Sequence, residues 1–181
     1  FDITITALNS EPTFTAGGNE TILEDAGAQT VNGWATAIDD GDGGSQVLTF
    51  TVNNDNNALF TVQPDVDETT GNLTYTPAAD AFGVANVSVV LSDDGGTAGG
   101  GDDTSPTANF TITITGINDV PSFTAGADET VNEDAGAQTV NGWATGLSTG
   151  PANESGQTLS FNVSNDNNGL FSAQPAIDAS G

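Results

Sequence analysis

The side chains that could do chemistry in this chain are carboxylates and Asn amides that cluster in its loops. The sequence has 25 acidic residues and no lysine, arginine or histidine, so its formal net charge is −25. Carboxylates that converge without a basic residue repel one another, and a hard divalent cation reverses the sign of that interaction. Calcium fits this inventory best, because it accepts about six to eight oxygen ligands from carboxylates, amide side chains and backbone carbonyls.

The missing residue types exclude several classes of function. Binding to nucleic acid or to an anionic membrane surface depends on Lys and Arg, so neither is expected as a partner. Without cysteine, the chain can form no disulfide and no thiolate metal site. It shows no signal peptide and no apolar stretch of membrane length, and because it begins inside a repeat this does not bear on export. No enzymatic activity is expected, and a carbohydrate-binding module or a glycosidase with an Asp/Glu pair is the third reading.

The sequence contains an internal repeat. The letters EDAGAQTVNGWAT at residues 24–36 return unchanged at residues 133–145, and residues 1–9 return in similar form at residues 110–118. The repeat unit is therefore about 110 residues long. We expect residues 1–9 to be the last strand and linker of an upstream repeat, residues 10–117 to be a complete repeat, and residues 118–181 to be a partial repeat lacking its last three strands. The open ends predict a longer covalent array or completion by another chain.

Apolar residues alternate with Thr, Ser and Asn along most of the chain, which predicts half-buried β-strands. In residues 111–115, for example, Ile112 and Ile114 alternate with threonines. Seven short strands are expected per repeat, near residues 13–14 with 21–23, 29–36, 47–53, 59–63, 72–76, 85–92 and 110–115. These strands and the turn signals between them predict an all-β fold of tandem immunoglobulin-like antiparallel β-sandwiches.

The repeated segment VNGW breaks this alternation. Val31 and Trp34 can both face the core only if the strand has a bulge at Asn32-Gly33, or if these two residues make a tight hairpin turn. We favour the bulge, because a hairpin would leave strands of about three residues on either side. Trp34 and Trp143 are then expected to pack in the core.

Loops in a seven-stranded sandwich alternate between its two ends, which sorts the acidic residues into two clusters. The downstream end, beside the linker residues Asn118 and Asp119, is expected to hold Glu24, Asp25, Asp55 and Asp80. The upstream end, beside Asn9 and Glu11, is expected to hold Asp39, Asp40, Asp42, Asp67, Glu68, Asp93 and Asp94. Each cluster is a candidate calcium site.

The linker INDVPSF at residues 117–123, placed after a TITIT strand, resembles the calcium-binding linker of cadherins, and VNEDAG at residues 131–136 resembles their early Glu-containing turn. The resemblance is closer to the cadherin-like tandem repeats of very long bacterial surface and adhesin proteins, and it covers essentially the whole chain. It implies an extracellular array stiffened by interdomain calcium, with Glu24, Asn118 and Asp119 as ligands and Glu133 as the equivalent of Glu24 at a later junction.

The chain departs from that pattern in two places. Ser10 stands in the first linker where Asp119 stands in the second, and STGPANES at residues 148–155, which contains Glu154, replaces the acidic loop IDDGDGG. The two junctions could therefore hold different numbers of ions.

The leading hypothesis is an extracellular, cell-surface array with a structural or adhesive role, in which calcium holds neighbouring repeats rigid. Its expected partners are calcium, other repeats or copies of the chain, and a cell-surface or glycan target. The alternative is a subunit of an extracellular filament or surface layer that is completed by strand exchange with neighbouring chains.

Overall fold

The computed structural model describes residues 1–4 and 7–181, and these residues form an all-β structure. The chain divides into two compact units, Phe1–Ile117 and Asn118–Gly181. Among the described residues, no helix has the length and apolar character that crossing a bilayer requires. Within the same ranges, helical residues occur only in short 3-10 turns, at Asn57–Leu59, Ala98–Gly100, Ala152–Glu154 and Asn168–Leu170.

The strands of the first unit form three sheets. Their bounds are β1 (Thr13–Thr15), β2 (Glu20–Leu23), β3 (Gln29–Val31), β4 (Thr36–Asp39), β5 (Thr49–Asn54), β6 (Phe60–Val66), β7 (Leu73–Pro77), β8 (Gly83–Ser92) and β9 (Ala108–Thr115). One sheet has the order β2-β9-β8-β5, a second has the order β3-β7-β6, and β1 pairs with β4. Burial alternates along β8 and β9, as the period of two predicts.

One contiguous cluster of buried side chains joins the four-stranded and three-stranded sheets of this unit. Leu73 and Tyr75 of β7 and Val89 of β8 all belong to this cluster. Trp34 is 3% exposed, and its ring centroid lies 4.4 Å from that of Phe110. The core position predicted for Trp34 is therefore confirmed, and the arrangement of sheets is consistent with a β-sandwich.

The expectation of a purely antiparallel sandwich is wrong at one edge. β2 runs parallel to β9, in a register that begins with Glu20 opposite Ile112. β1 pairs with β4, and the chain then passes through Gly17 and Gly18 to β2 in the four-stranded sheet. The seven predicted strands become nine because residues 13–23 and residues 29–36 each divide between two sheets. The spacing of hydrophobic residues shows which face of a strand is buried, but it does not show whether the neighbouring strand runs parallel or antiparallel.

The predicted bulge at Asn32-Gly33 is also wrong. These residues make a turn, in which Gly33 has φ 62° and its N–H donates to Oδ1 of Asn72 over 2.8 Å. The turn does not form a hairpin either, since β3 pairs with β7 whereas β4 pairs with β1. The irregularity lies instead in β4, at Ala37, whose φ is 49° and where the register with β1 shifts.

The second unit contains β10 (Ser122–Thr124) and β11 (Thr145–Ser148), an antiparallel pair equivalent to β1 and β4. Trp143 is half-buried, and its indole N–H donates to the carbonyl of Ala127 over 2.9 Å. The strand predicted from Leu159, Phe161 and Val163 is not formed. Its counterpart β5 in the first unit pairs with β8.

The strand predicted over residues 1–8 includes Ile5 and Thr6, which lie outside the described residues. Residues 1–4 and 7–9 form no strand in the structure. The described part of this segment is exposed up to Asn9, where contacts with the first unit begin.

Candidate metal centre

Asn9 is the centre of a polar network at the upstream end of the first unit. Its side-chain N–H donates to Oδ1 of Asp93 over 3.0 Å and to the backbone carbonyl of Asp102 over 2.7 Å. Its Oδ1 accepts a hydrogen bond of 2.6 Å from the amide of Gln46. The Asn9 side chain therefore contacts three loops, which follow β4, β8 and the 3-10 turn at Ala98–Gly100. The sequence placed Asn9 and Asp93 at the same end of the unit, and the structure brings them together there.

Asp42 joins the same network from the loop after β4. The backbone N–H of Ser10 donates to Asp42 Oδ2 over 2.9 Å, and the Ser10 hydroxyl donates to Oδ1 over 3.3 Å. Gln46 also donates to Asp42 Oδ2, over 3.3 Å. Two of the predicted ligands therefore contact neighbouring residues, Asp93 at Asn9 and Asp42 at Ser10.

Two oxygens of this network are buried without a hydrogen-bond partner among the described residues: Oδ2 of Asp93 and Oε1 of Gln46. The Asp93 side chain is 8% exposed. A buried acceptor with no donor costs free energy, and the cost is larger for a carboxylate. A bound cation satisfies such oxygens, and a carboxylate with two amide side chains is the kind of donor set that calcium accepts.

Asp39 and Asp40 have a different place in the loop. Asp40 is 2% exposed and accepts three backbone hydrogen bonds, from Asp42, Gly44 and Gln46, of 3.1, 2.8 and 3.0 Å. The N–H groups of Gln46 and Gly44, with that of Asp42, lower the pKa of Asp40 to about 2. Asp39 Oδ1 accepts the N–H of Gly41 over 2.7 Å. These two predicted ligands therefore hold the shape of the loop that presents Asp42 and Gln46.

Other acidic residues of the predicted clusters close their own loops. Asp55 accepts two hydrogen bonds from Asn86, one from the side chain over 2.7 Å and one from the backbone over 2.8 Å, and these lower its pKa. Asp67 accepts hydrogen bonds from the hydroxyl and backbone of Thr70, which lower the Asp67 pKa in the same way. Asp94 accepts the N–H of Val47 over 2.8 Å. These hydrogen bonds from neutral donors satisfy the three carboxylates without a metal ion.

At the downstream end of the first unit, Glu24 ties the start of the EDAG turn to the last strand. It is 2% exposed, its N–H donates to the carbonyl of Thr115 over 2.9 Å, and its Oε1 accepts the N–H of Ile117 over 2.7 Å. Glu24 therefore fixes the residues through which the chain leaves the unit. As predicted, Glu24 lies beside the start of the linker, which it contacts at Ile117.

Asp25, which follows Glu24 in the chain, forms an exposed pair with Asp80. Both have left-handed backbones, with φ 60° and φ 55°, and the N–H of Asp80 donates to Asp25 Oδ1 over 3.1 Å. Left-handed backbone is unfavourable for a residue with a Cβ, although Asp adopts it more readily than most. The turns therefore hold two carboxylates side by side, where their charges repel unless a cation lies between them.

The second unit repeats the upstream network with a different acid. The N–H of Asp119 donates to Glu154 Oε1 over 2.9 Å, and the amide of Gln157 donates to Asn118 Oδ1 over 3.0 Å. Glu154 is 7% exposed, and its Oε2 is buried without a hydrogen-bond partner among the described residues. Added side-chain volume at Gly150 would meet this oxygen. The predicted residues Asn118, Asp119 and Glu154 are thus brought together.

Two residues differ from what the sequence predicted about the calcium ligands. Glu133 is exposed, although the following Asp134 keeps the left-handed backbone of Asp25, with φ 62°. Gln46 was not among the predicted ligands, yet its side chain contacts both Asn9 and Asp42. Alignment of the two repeats would have identified Gln46, because Gln157 occupies the matching position of the second repeat and contacts Asn118 as Gln46 contacts Asn9.

A scan against models of known protein families finds no match to this chain, and a search of curated proteins finds none either. The choice of ligand therefore depends on the geometry and chemistry of the chain itself.

Proposed function

We propose that this chain is part of an extracellular array of immunoglobulin-like, cadherin-like β-sandwich repeats, rigidified by calcium at the ends of its units and serving a structural or adhesive role rather than a catalytic one. The observation that supports this proposal best is the duplicated upstream network. In both units, a Gln amide donates to the side-chain oxygen of the linker Asn, and a carboxylate accepts the backbone N–H of the residue that follows this Asn. In both units, the network also leaves a buried carboxylate oxygen without a donor.

The chemistry of these open oxygens favours calcium over other ligands. Asp93 Oδ2, Gln46 Oε1 and Glu154 Oε2 are acceptors only, so an anion or a hydrogen-bond acceptor would be repelled. The chain supplies no lysine, arginine or histidine to neutralise them. A hard cation with oxygen ligands and flexible coordination matches this donor set, whereas zinc prefers sulfur and nitrogen.

The downstream end of the first unit holds a second group of candidate ligands. Glu24 holds the N–H of Ile117, the residue with which the first unit ends. The exposed pair of Asp25 and Asp80 belongs to the same end of the unit. We propose that calcium binds beside Asp25 and Asp80, where it would offset the repulsion between their carboxylates.

An extracellular location follows from the proposed ion. Calcium sites in extracellular modules have dissociation constants of about 0.1 to 1 mM, which suit the calcium concentration outside cells. Bound calcium would also lower the self-repulsion of a chain with a net charge of −25.

Calorimetric titration with calcium, and thermal melts with calcium or with a chelator, test this proposal. At a calcium concentration about 100 times the dissociation constant, a site present only in the folded state adds about 2.7 kcal/mol of stability. Asp93→Asn should weaken binding about tenfold or more by removing a charged ligand. Asp65→Asn, which removes an exposed acid of β6 outside the network, is the matched control. The absence of a calcium-dependent melt, or equal binding by both variants, would refute the proposed site.

A further inference from the structure

β2 and β9 are the strands by which the chain enters and leaves the four-stranded sheet of the first unit, and they lie side by side. The order of that sheet is β2-β9-β8-β5, and β2 comes first in the sequence whereas β9 comes last. The two strands run parallel, from Glu20 opposite Ile112 to Leu23 opposite Thr115. A pull on the two ends of this unit therefore reaches this pair of strands.

Side chains lengthen the contact between β2 and β9 at both of its ends. At the upstream end, Oδ1 of Asn19 accepts the backbone N–H of Thr111 over 2.9 Å. At the downstream end, Oε1 of Glu24 accepts the backbone N–H of Ile117 over 2.7 Å. Together with the strand pairing, these contacts define the β2–β9 clamp, which consists of residues 19–24 and 111–117.

The core side of the β2–β9 clamp is shielded from water. Ile112 and Ile114 are buried, and Ile22 packs against the same core. Glu24 is also buried. A hydrogen bond in such surroundings is electrostatically stronger than one in water, and water has little access to replace it.

The ends of the first unit lie at opposite ends of the clamp. Asn9 contacts Asp93 and Asp102 of the loop that joins β8 to β9, so the chain enters where β9 begins. It leaves through Ile117, just after β9 ends. Tension along the chain therefore pulls β2 toward the upstream end and β9 toward the downstream end, along their common axis. Such shear loads the hydrogen bonds between the strands together.

The parallel direction of β2 and β9 decides this response to tension. In an antiparallel pair, the start of the first strand and the end of the last strand lie at the same end of the sheet. Tension would then separate the strands from that end and break their hydrogen bonds one after another. The one edge at which the purely antiparallel expectation is wrong is thus the edge that tension loads in shear.

We propose that the β2–β9 clamp is the element of the first unit that bears tension applied along the chain. The clamp consists of contacts within the protein and needs no calcium. Its use depends on the function proposed above, because a repeat in a structural or adhesive array transmits tension between its neighbours. The clamp itself is a property of the unit and is tested in a chelator.

Single-molecule pulling in two directions tests the clamp. The chain has no cysteine, so an introduced pair of cysteines defines where the force acts. Leu8→Cys with Val120→Cys shears the clamp, whereas Ala28→Cys with Val120→Cys pulls both strands from their downstream end. All three side chains are exposed, and both pairs leave residues 121–181 outside the load. At one loading rate, the unfolding force should be at least about twice as high in the shearing direction.

A variant of the clamp tests its hydrogen bonds directly. Asn19→Ala removes the acceptor of the Thr111 N–H and should raise the unfolding rate about fivefold under a constant shearing force. Asn54→Ala is the matched control, because its amide donates to Gln63 Oε1 over 2.9 Å outside the clamp. It should change that rate little. Urea unfolding of both variants in the same chelator measures the loss of equilibrium stability that accompanies each change.

The inference is overturned if the two pulling directions give equal unfolding forces, or if Asn19→Ala and Asn54→Ala change the rate under force alike. The chelator removes calcium from every sample, so these outcomes are independent of the calcium sites. Failure of the clamp would leave the calcium titrations unaffected, and failure of the calcium sites would leave the pulling results unaffected.

Discussion

The backbone N–H of Asp119 donates to the carboxylate of Glu154 over 2.9 Å, and this contact reproduces the one between Ser10 and Asp42 in the first unit. The loops that carry the two acids, IDDGDGG and STGPANES, have little sequence in common. In the second loop the 3-10 turn Ala152–Glu154 places a longer side chain where Asp42 reaches in the first. The position of a carboxylate beside the linker N–H is thus retained while the residue that supplies it changes.

The two networks should bind calcium separately. Asp42→Asn should weaken binding at the first unit, and Glu154→Gln should weaken binding at the second, each about tenfold or more, because each removes one negative ligand. The amide oxygen of Asn or Gln can still accept the linker N–H, so the fold should remain. A calcium titration followed by the amide NMR shifts of Ser10 and Asp119 reads the two units independently.

Asp128→Asn, which neutralises an exposed acid of the second unit, is the control for a general charge effect. If it weakens binding as much as Glu154→Gln, the loss comes from net charge alone and the specific site is disproved.

Stability should depend on pH through Asp40. The N–H groups of Gln46, Gly44 and Asp42 lower its pKa from 3.8 to about 2. A carboxyl whose pKa is lower in the folded state stabilises the fold above the unfolded pKa, and this stabilisation is lost as the pH falls through the folded pKa. Asp40→Asn should therefore be less stable than the wild type at pH 7, with the difference shrinking between about pH 4 and pH 2. Urea unfolding in a chelator across this range measures it, and a constant difference would contradict the assignment.

Glu24 and Glu133 are each the first residue of the repeated segment EDAGAQTVNGWAT but should differ in their effect on stability. Glu24→Ala removes the buried acceptor of the Ile117 N–H, which should cost about 1–3 kcal/mol and speed hydrogen exchange at that amide. Glu133→Ala changes an exposed side chain and should cost little. Denaturant unfolding in a chelator, with exchange measured at Ile117, checks both, and equal costs would show that the contact of Glu24 contributes nothing.

Gly71 should tolerate no side chain. Its φ is 66°, and an added Cβ would fall on the carbonyl oxygen of Ala35, whose N–H is hydrogen-bonded to the Gly71 carbonyl over 2.8 Å. Gly71→Ala should therefore cost about 3 kcal/mol or more, from backbone strain and collision together. Gly33→Ala is the matched control, because Gly33 has φ 62° with open space at its Cβ position, and it should cost only the strain of about 1–2 kcal/mol. Similar midpoints of urea unfolding for the two variants would exclude the collision.

The alternation of apolar and polar residues was enough to predict the all-β class and the position of most strands in the first unit, including those around Phe50, Val89 and Ile112. These side chains face a core on one side of a pleated sheet, so apolar residues recur at every second position of the strand sequence. The same period did not reveal that β2 is parallel to β9, nor that the chain turns at Gly33 into another sheet.

For the candidate site, composition and repeat alignment identified the loops, whereas the structure separated the acids by their partners. Asp40 and Asp55 looked like ligands in the sequence, yet backbone and side-chain N–H groups occupy their oxygens. Gln46 looked unimportant and proved central to the network.

The sequence by itself determined that this protein is a repeated, strand-rich polyanion, since charge, composition and the period of two are properties of the residues taken in order. Only the tertiary structure decided which carboxylates are satisfied and which, like Oδ2 of Asp93 and Oε2 of Glu154, are buried and open. The reason is physical: the number of donors around an oxygen depends on loops that are far apart in the chain, and only folding brings them together.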